Sequence, residues 1–221
     1  MAWLPIIWVE GLIAAGKTTL VRVLAELLGY RALYEPVTDE ELLRLFYQDP
    51  KRWAFPFQIE MARRRSTLHE LAMLESQVVG TPWKGTIIDR GLPGDRVFAS
   101  LHYRSGNITD VEWRIYEELY RKWMFVPNIQ PTMLLYLDVE PEVALCRIKE
   151  RGREAEREVD IGYLRDVHDA YGRLMREMES GAHPWARGMR VLRVPWNKDN
   201  EPVEPIAETV RAVCSVPETH N

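Results

Sequence analysis

The residues best placed to do chemistry lie near the start of the chain, in Gly-Leu-Ile-Ala-Ala-Gly-Lys-Thr-Thr at 11–19. They match every fixed position of the phosphate-binding pattern G-x-x-x-x-G-K-[ST]. In such a loop the backbone N–H groups surround a phosphate, the lysine adds positive charge, and the hydroxyl suits Mg²⁺. We therefore predict a nucleoside triphosphate site, with the loop at 11–18 and these contact residues: Gly11, Ala14, Ala15, Gly16, Lys17, Thr18 and Thr19.

The sequence on both sides of this loop supports the match. Leu4–Val9 is a short apolar run typical of a buried strand, and Thr18–Leu28 has apolar residues at helical spacing. A helix that begins at the loop turns the positive end of its dipole toward the bound phosphate. A chance match in an ordinary strand–turn–helix is the weaker interpretation.

Short apolar runs alternate with segments of helical period along the chain. This order predicts an α/β fold of the P-loop NTPase type, with a parallel five-stranded sheet and helices on both faces. The length of 221 residues favours a single domain over 1–221. The runs are Leu4–Val9, Ala32–Tyr34, Thr86–Asp89, Met133–Val139 and Val191–Val194.

Charged residues follow two of the predicted strands, and ligands of parallel sheets bind beyond the carboxyl ends of the strands. Glu35, which precedes Pro36 and Val37, follows the second run, and Asp89 and Arg90 end the third. A carboxylate there can accept a hydroxyl proton or hold Mg²⁺, and an arginine can offset charge on a transferred phosphoryl group. The plainer interpretation is a helix N-cap for Asp89 and a surface turn for Glu35.

Residues 40–79 have helical character apart from a break at Asp49–Pro50, where Pro50 suits the start of a helix. The segment gathers aromatic side chains and one amide, a set that is more often core than ligand pocket. These residues are Tyr47, Trp53, Phe55, Phe57 and Gln58. The basic run at 63–65 is typical of a solvated helix face. Further along the chain, Asp95 is typical of a residue that caps a helix.

Arginines and glutamates are interleaved over Arg147–Arg157, around Gly152. Because Arg147 and Arg151 are four residues apart, they are expected on one helix face. In an arbitrary protein this pattern indicates an exposed helix with many ion pairs, whereas phosphoryl transfer calls for an arginine-rich lid. The loop at 195–200 is rich in turn residues and is a candidate cover for an adenine ring.

Composition excludes several classes of protein. The formal net charge of −4 argues against general nucleic-acid binding, which needs a basic excess. Two cysteines, Cys146 and Cys214, form no disulfide framework and suit a reducing compartment. The first apolar run ends at Glu10, too short for a signal peptide or a membrane span. We expect a cytoplasmic protein without membrane or nucleic-acid partners.

From the phosphate loop to about Tyr171 the chain resembles the deoxyribonucleoside kinase family, in particular its deoxycytidine, deoxyadenosine and deoxyguanosine kinases. The order and spacing of several motifs carry the resemblance together. They are Gly-Leu-Ile-Ala-Ala-Gly-Lys-Thr-Thr (11–19), Glu-Pro-Val (35–37), Tyr47 with Trp53 and Pro-Phe-Gln (56–58), Asp-Arg (89–90), and Arg-Ile-Lys-Glu-Arg-Gly-Arg (147–153).

The resemblance implies roles in the transfer itself. Glu35 would deprotonate the nucleoside 5′-hydroxyl, with Asp89 as a second candidate for this base. Asp89 would also hold Mg²⁺ with Thr18, and Arg90 would lie near the transferred phosphoryl group. A lid over about 147–158 would close on the ATP phosphates through Arg147, Arg151 and Arg153.

The resemblance also implies how the nucleoside is held. Tyr47 and Glu156 would bind the sugar 3′-hydroxyl, Gln58 would pair with the base edge, and Phe98 would stack on the base. Family members that favour deoxycytidine and purine deoxynucleosides are similar at two further places, occupied here by Arg65 and Asp95. A homodimer is expected by the same analogy.

The chain departs from the family pattern at Asp89-Arg90-Gly91, where Glu-Arg-Ser is usual. Two other functions remain open at this point. A nucleoside monophosphate kinase of the thymidylate kinase type shares the loop, the Asp-Arg pair and the lid, but a carboxylate at Glu35 would repel a substrate phosphate. A regulatory P-loop ATPase would give no reason for the aromatic residues around Gln58.

Overall fold

The computed structural model describes residues 3–35, 40–124, 131–183, 186, 188–199 and 201–214. Within them, parallel strands alternate with helices, as the sequence predicts. The elements are β1 (Ile6–Gly11), α1 (Lys17–Leu28), β2 (Arg31–Leu33), α2 (Glu40–Gln48), α3 (Pro50–Ser76), β3 (Thr86–Asp89), α4 (Leu92–Arg104), α5 (Asp110–Met124), β4 (Met133–Asp138), α6 (Pro141–Arg151), a 3₁₀ turn (Glu154–Glu156), α7 (Ile161–Glu179), β5 (Arg190–Pro195) and α8 (Glu204–Cys214).

The strands form one parallel sheet of five, in the order β2-β3-β1-β4-β5. The central strand β1 is buried along its whole length, because helices cover both faces of the sheet. Helix α1 packs against α8, while α4 packs against α3 and α7. The predicted α/β fold with a parallel five-stranded sheet is confirmed. No helix of the described residues is long and apolar enough to span a membrane.

The strand bounds differ most from the prediction at β1. This strand runs from Ile6 to Gly11, two residues further along the chain than predicted, because its pairing with β4 continues to Gly11 opposite Leu137. The bounds of β3 are as predicted, and the ends of the other strands shift by at most one residue. The shift at β1 brings Glu10, expected to end the apolar run, into the buried centre of the sheet.

The predicted helical segment at 40–79 is two helices. The break lies where predicted: Pro50 opens α3, and the Asp49 side chain accepts a hydrogen bond from the Arg52 backbone N–H at 3.2 Å. Helix α3 ends at Ser76 rather than continuing to residue 79. Val78 and Val79 are 56% and 86% exposed, so a further turn would bury no apolar face.

Candidate active site

A cavity of about 220 Å³ opens beyond the carboxyl ends of β1, β2 and β3. It joins the phosphate loop to residues of α2, α3, α4 and the segment after α6. Its lining consists of Ile13, Ala14, Lys17, Thr18, Glu35, Leu43, Phe46, Tyr47, Phe57, Gln58, Met61, Arg65, Asp89, Arg90, Phe98, His102, Arg151, Arg153, Glu156 and Tyr163. Six residues predicted for the site do not line it: Gly11, Ala15, Gly16, Thr19, Asp95 and Arg147.

The phosphate loop is shaped by its backbone angles. Ala14 and Gly16 have φ of 57° and 88°, in the left-handed region that favours glycine, and Gly16 caps α1. The Lys17 ammonium donates to the carbonyl oxygen of Leu12 at 2.7 Å. Burial, with a smaller effect of the Arg90 charge, lowers the pKa of Lys17 to about 7. A bound phosphate would replace the carbonyl as the partner of this ammonium and favour its charged form.

Asp89 and Thr18 meet where the loop joins the helix. The Thr18 hydroxyl donates to Oδ2 of Asp89 at 2.6 Å, and Oδ1 of Asp89 is buried without a hydrogen-bond partner in the described part of the chain. The N-cap of α4 is Gly91, so the interpretation of Asp89 as a helix cap was wrong. An unpaired buried carboxylate oxygen beside a hydroxyl is a suitable pair of ligands for Mg²⁺.

Glu35 follows β2 and lies between two arginines. The Arg65 Nε–H and Nη2–H groups donate to Oε1 of Glu35, with the Nε contact at 3.0 Å. Arg90 Nε lies 3.3 Å from the other oxygen. Burial alone would raise the pKa of Glu35, but the charges of Arg65 and Arg90 outweigh it and hold the pKa below its ordinary value. The interpretation as a surface turn was wrong, because ion pairs within the cavity fix this carboxylate. Pro36 and Val37 lie outside the described residues.

Arg65 is buried, in contrast to the solvated face predicted for the run at 63–65. Its side chain is 5% exposed, and its Nη1–H donates to Oδ1 of Asp95. The Tyr116 hydroxyl donates to Oδ2 of the same carboxylate at 2.5 Å. Asp95 lies in the first turn of α4 and caps nothing, so its interpretation as a helix cap was wrong. It instead holds Arg65 against the cavity from behind.

The aromatic residues of α2 and α3 divide between cavity and core. Tyr47, Phe57 and Gln58 line the cavity, and Trp53 and Phe55 do not. Oε1 of Gln58 is buried and has no hydrogen-bond partner within the described ranges. An unpartnered amide oxygen in a cavity is an acceptor available to a ligand. Burial, with the nearby Glu156 charge, raises the pKa of Tyr47 to about 12, so its hydroxyl stays protonated.

The three predicted lid arginines are not all directed to the cavity. Arg151 donates to Glu156 at 2.5 Å, and Arg153 lies 3.6 Å from the same carboxylate. These two arginines and Glu156 line the cavity. Arg147 instead donates to the carbonyl of Trp196 at 3.2 Å and to carbonyls of the next two residues. Arg147 therefore links α6 to the loop that follows β5, although it lies on the same helix as Arg151.

Comparison with known proteins decides the family. A family model described as deoxynucleoside kinase matches residues 7–215. The chain belongs to the deoxynucleoside kinase family. It is an enzyme that phosphorylates deoxynucleosides with a nucleotide as phosphate donor. This membership does not favour the alternative function considered from the sequence, that of a nucleoside monophosphate kinase.

Individual relatives agree with this assignment. The kinase is 31% identical to a deoxyadenosine kinase of Dictyostelium discoideum over 92% of this chain and 77% of that protein. It is 32% identical to a deoxyadenosine/deoxycytidine kinase of Bacillus subtilis over 75% of this chain and 74% of the relative. A solved deoxyadenosine kinase from M. mycoides, with the products dCMP and dCDP bound, is 24% identical, with a TM-score of 0.73 over 94% of this chain and 97% of that one. This last likeness supports the fold.

Sequence reasoning missed several residues of the cavity. Ile13 occupies a variable position of the phosphate loop, and the others come from elements far apart in the chain and carry no motif, so only the fold identifies them: Leu43, Phe46, Met61, His102 and Tyr163. Phe46 stacks on Phe57 with ring centroids 4.6 Å apart. The His102 ring packs against Phe46 in a T-shaped arrangement, with centroids 5.0 Å apart. Burial lowers the pKa of His102 to about 4, which keeps this ring neutral in the kinase.

The departure at Gly91 from the usual serine has a steric explanation in this kinase. A Cβ atom on Gly91 would lie 2.6 Å from Cδ2 of Trp8, a residue of β1 with no exposed surface. Gly91 has φ of −111°, which any residue can adopt, so contact with the indole is what excludes a side chain. Trp8 and Gly91 therefore form a matched pair beneath the Asp-Arg motif.

Proposed function

We propose that this kinase transfers the γ-phosphoryl group of ATP to the 5′-hydroxyl of deoxynucleosides with a purine or cytosine base. The observation that carries the proposal is one cavity lined by Lys17, the Glu35 carboxylate and the Arg90 guanidinium. In-line phosphoryl transfer needs a positioned hydroxyl, a positioned triphosphate and positive charge around the transferred group. Each of the three residues answers one of these needs.

Glu35 is our candidate for the base that accepts the 5′-hydroxyl proton. Its lowered pKa keeps it ionised at neutral pH, and a loose transition state asks the base mainly to orient the hydroxyl. A negative charge here suits a neutral hydroxyl and would repel a phosphate. Asp89 is the weaker candidate because its carboxylate is engaged by the Thr18 hydroxyl.

Thr18 and Asp89 would hold Mg²⁺. Support comes from the buried Oδ1 atom of Asp89, which has no hydrogen-bond partner in the part of the chain that is described. Leaving such an oxygen unpaired is costly, and oxygen ligands are those that Mg²⁺ takes. The ion, when bound, offsets negative charge on the triphosphate.

The lid over 147–158 would act on the donor in two ways. Arg151 and Arg153 line the cavity and would contact the phosphates directly. Arg147 would act indirectly, by holding the loop after β5. The Trp196 ring of that loop lies against the phosphate loop, with Nε1 only 3.2 Å from where a Cβ atom on Gly16 would be. Positive charge from several directions is what the transferred group requires.

The nucleoside would lie across the opposite part of the cavity. Tyr47 and Glu156 both line it and would bind the sugar 3′-hydroxyl, with Tyr47 crowding a ribose 2′-hydroxyl. Phe98 would stack on the base and lies with its ring 5.1 Å from the Arg90 guanidinium carbon. Sugar and base would thus be held from three sides.

The base preference rests on Gln58 and on Arg65, which Asp95 holds in place. The free amide oxygen of Gln58 would accept from an exocyclic amino group, and Arg65 would donate to base acceptors. Adenine, cytosine and guanine each carry an exocyclic amino group, and thymine carries none. A mismatched base leaves buried polar groups unpaired, which is a strong basis for discrimination. The relatives described above, named for deoxyadenosine and deoxycytidine, agree with this preference.

A substrate panel tests the proposal. Deoxyadenosine, deoxyguanosine, deoxycytidine, thymidine and their monophosphates are each incubated with ATP and Mg²⁺, and steady-state kcat/KM is measured. We expect turnover of the purine and cytosine deoxynucleosides. Turnover of thymidine alone would overturn the base preference, and turnover of monophosphates alone would overturn the assignment of Glu35.

We also propose that 1–221 form a single kinase domain, and that the kinase is a cytoplasmic homodimer. The two free cysteines, Cys146 and Cys214, support a reducing compartment. Light scattering after gel filtration should give the mass of two chains, and the mass of one would contradict the dimer. Cell fractionation with a tagged chain tests the location.

A further inference from the structure

A buried carboxylate lies directly behind the cavity, at Glu10 on the central strand β1. It has no exposed surface. Its Oε1 accepts from the backbone N–H of Gly91 at 2.7 Å, and its Oε2 accepts from the Tyr171 hydroxyl at 2.8 Å. Because burial opposes its charge and raises its pKa, Glu10 depends on these partners and on the Arg90 charge 3.8 Å away. A strand residue that serves packing alone would be apolar.

The Tyr171 hydroxyl stands between two opposite charges. It donates to Glu10 and accepts from Nη1–H of Arg90 at 2.9 Å. The same arginine nitrogen donates to the carbonyl oxygen of Gly11 in the phosphate loop at 3.0 Å. Tyr171 belongs to α7, the helix that follows the lid, so this one hydroxyl links α7, the sheet and the loop.

Arg90 needs such support because its backbone is strained. Its φ is 69°, a left-handed angle that residues with a Cβ adopt only where the surroundings hold them. On the cavity side, its Nε lies 3.3 Å from Glu35, and its guanidinium lies over the Phe98 ring. Phe98 in turn meets the Tyr171 ring edge to face, with centroids 6.2 Å apart. The guanidinium is thus fixed from behind by hydrogen bonds and in front by the candidate base.

We propose that Tyr171 and Glu10 are positioning residues that set the Arg90 guanidinium at the reacting end of the cavity. The inference rests on the proposed function, in which Arg90 faces the 5′-oxygen and the transferred phosphoryl group. Without the hydroxyl, Glu10 loses a donor and Arg90 an acceptor. Their opposite charges then draw Nη1 of Arg90 toward Oε2 of Glu10, which moves Nε of the same guanidinium away from Glu35. The misplaced charge affects the transition state more than the binding of either substrate.

The chain offers a matched control at Tyr136. This tyrosine stacks on Tyr171 with centroids 5.4 Å apart, has no exposed surface, and its hydroxyl has no hydrogen-bond partner in the described residues. Replacing either tyrosine by phenylalanine removes one buried hydroxyl from the same aromatic stack. Tyr171→Phe alone removes the link between Glu10 and Arg90.

The experiment compares Tyr171→Phe and Tyr136→Phe with the wild type for kcat, KM for both substrates, and Tm. The deoxynucleoside used is whichever one the wild type phosphorylates fastest. We expect Tyr171→Phe to lower kcat about tenfold, the effect of one hydrogen bond in the transition state, with each KM within about twofold. Tyr136→Phe should keep kcat within about twofold of the wild type.

A second variant keeps the test decisive if Tyr171→Phe does not fold. Glu10→Gln retains the shape and the acceptor for the Gly91 N–H but removes the charge, and we expect kcat to fall about threefold or more with KM kept. Unchanged kcat in either folded variant, or a rise in KM that follows a loss of Tm, overturns the inference. A wild type that phosphorylates no deoxynucleoside would instead contradict the proposed function, so the two failures are distinguishable.

Discussion

The phosphate loop and the nucleoside side of the cavity are built in opposite ways. The loop is one stretch of chain, 11–18, whose shape comes from backbone angles such as those of Ala14 and Gly16. The acceptor wall, formed by Glu35, Arg65, Arg90 and Asp95, comes from the ends of β2 and β3 and from α3 and α4. Ion pairs between these side chains hold it together.

This difference in construction indicates which part of the site sets selectivity between substrates. A backbone loop recognises the phosphate that every donor carries, and it is indifferent to the acceptor. A wall of buried, mutually paired charges discriminates strongly, because a wrong ligand leaves some of them unpaired. Changes in the loop should therefore affect all deoxynucleosides alike, while changes in the acceptor wall should depend on the base or on pH.

The largest effect is expected from the loop. Lys17→Met removes the ammonium proposed to bind the phosphates, and kcat/KM should fall about 10³-fold or more, by the same factor for each deoxynucleoside. Lys51→Met, on the exposed start of α3, is the control and should leave kcat/KM unchanged. A loss of kcat/KM that differs strongly between bases would contradict a loop that is indifferent to the acceptor.

A smaller, base-dependent effect is expected from Arg65→Lys. The variant keeps the buried positive charge but loses the planar fork that meets Glu35 and Asp95 together. The ratio of kcat/KM for deoxyadenosine over thymidine should fall about tenfold, the effect of one lost pairing. Arg63→Lys, on the exposed face of the same helix, should not change this ratio. An equal loss of kcat/KM for both nucleosides would show that Arg65 does not contribute to base recognition.

The pH profile sharpens the role assigned to Glu35. Because its arginine neighbours depress its pKa, the carboxylate stays ionised until the pH falls below the ordinary value of about 4.3. The acid limb of kcat/KM should lie below that value in the wild type. In Arg65→Gln, which removes one positive neighbour, the pKa of Glu35 should rise and the limb should move to higher pH. A limb that does not move would mean that another group titrates.

The smallest effect on turnover is expected beneath the site. Gly91→Ala places a methyl group against the Trp8 indole and should lower the free energy of unfolding by about 1–3 kcal/mol, as overpacking does. Gly172→Ala on α7, where a Cβ atom meets nothing nearer than 3.6 Å, is the control and should not be destabilising. Denaturant unfolding monitored by circular dichroism measures both. Equal stability of the two variants would contradict the packing explanation for Gly91.

The sequence predicted structure and function well where neighbouring residues determine them. The phosphate loop, the break before Pro50 and the parallel sheet follow from local pattern, and the structure has them where expected. The burial of Arg65 could not be read from a basic run, because an ion-pair partner 30 residues away decides it. The hydrogen bond between Glu10 and Tyr171 could not be predicted for the same reason, since 161 positions separate the two residues. In the acceptor wall, Glu35 and Arg90 follow from their place at the ends of two predicted strands, whereas Arg65 and Asp95 were reached through family resemblance.

The most direct test of this account is the rate of the chemical step in Glu35→Gln. Rapid-quench single-turnover experiments with ATP, Mg²⁺ and the fastest deoxynucleoside would measure it apart from product release. Glutamine keeps the shape of the side chain but cannot accept the proton, so we predict a rate about 10³-fold below the wild type, with nucleoside binding largely kept. A rate within about threefold of the wild type would contradict the assignment of Glu35 as the base.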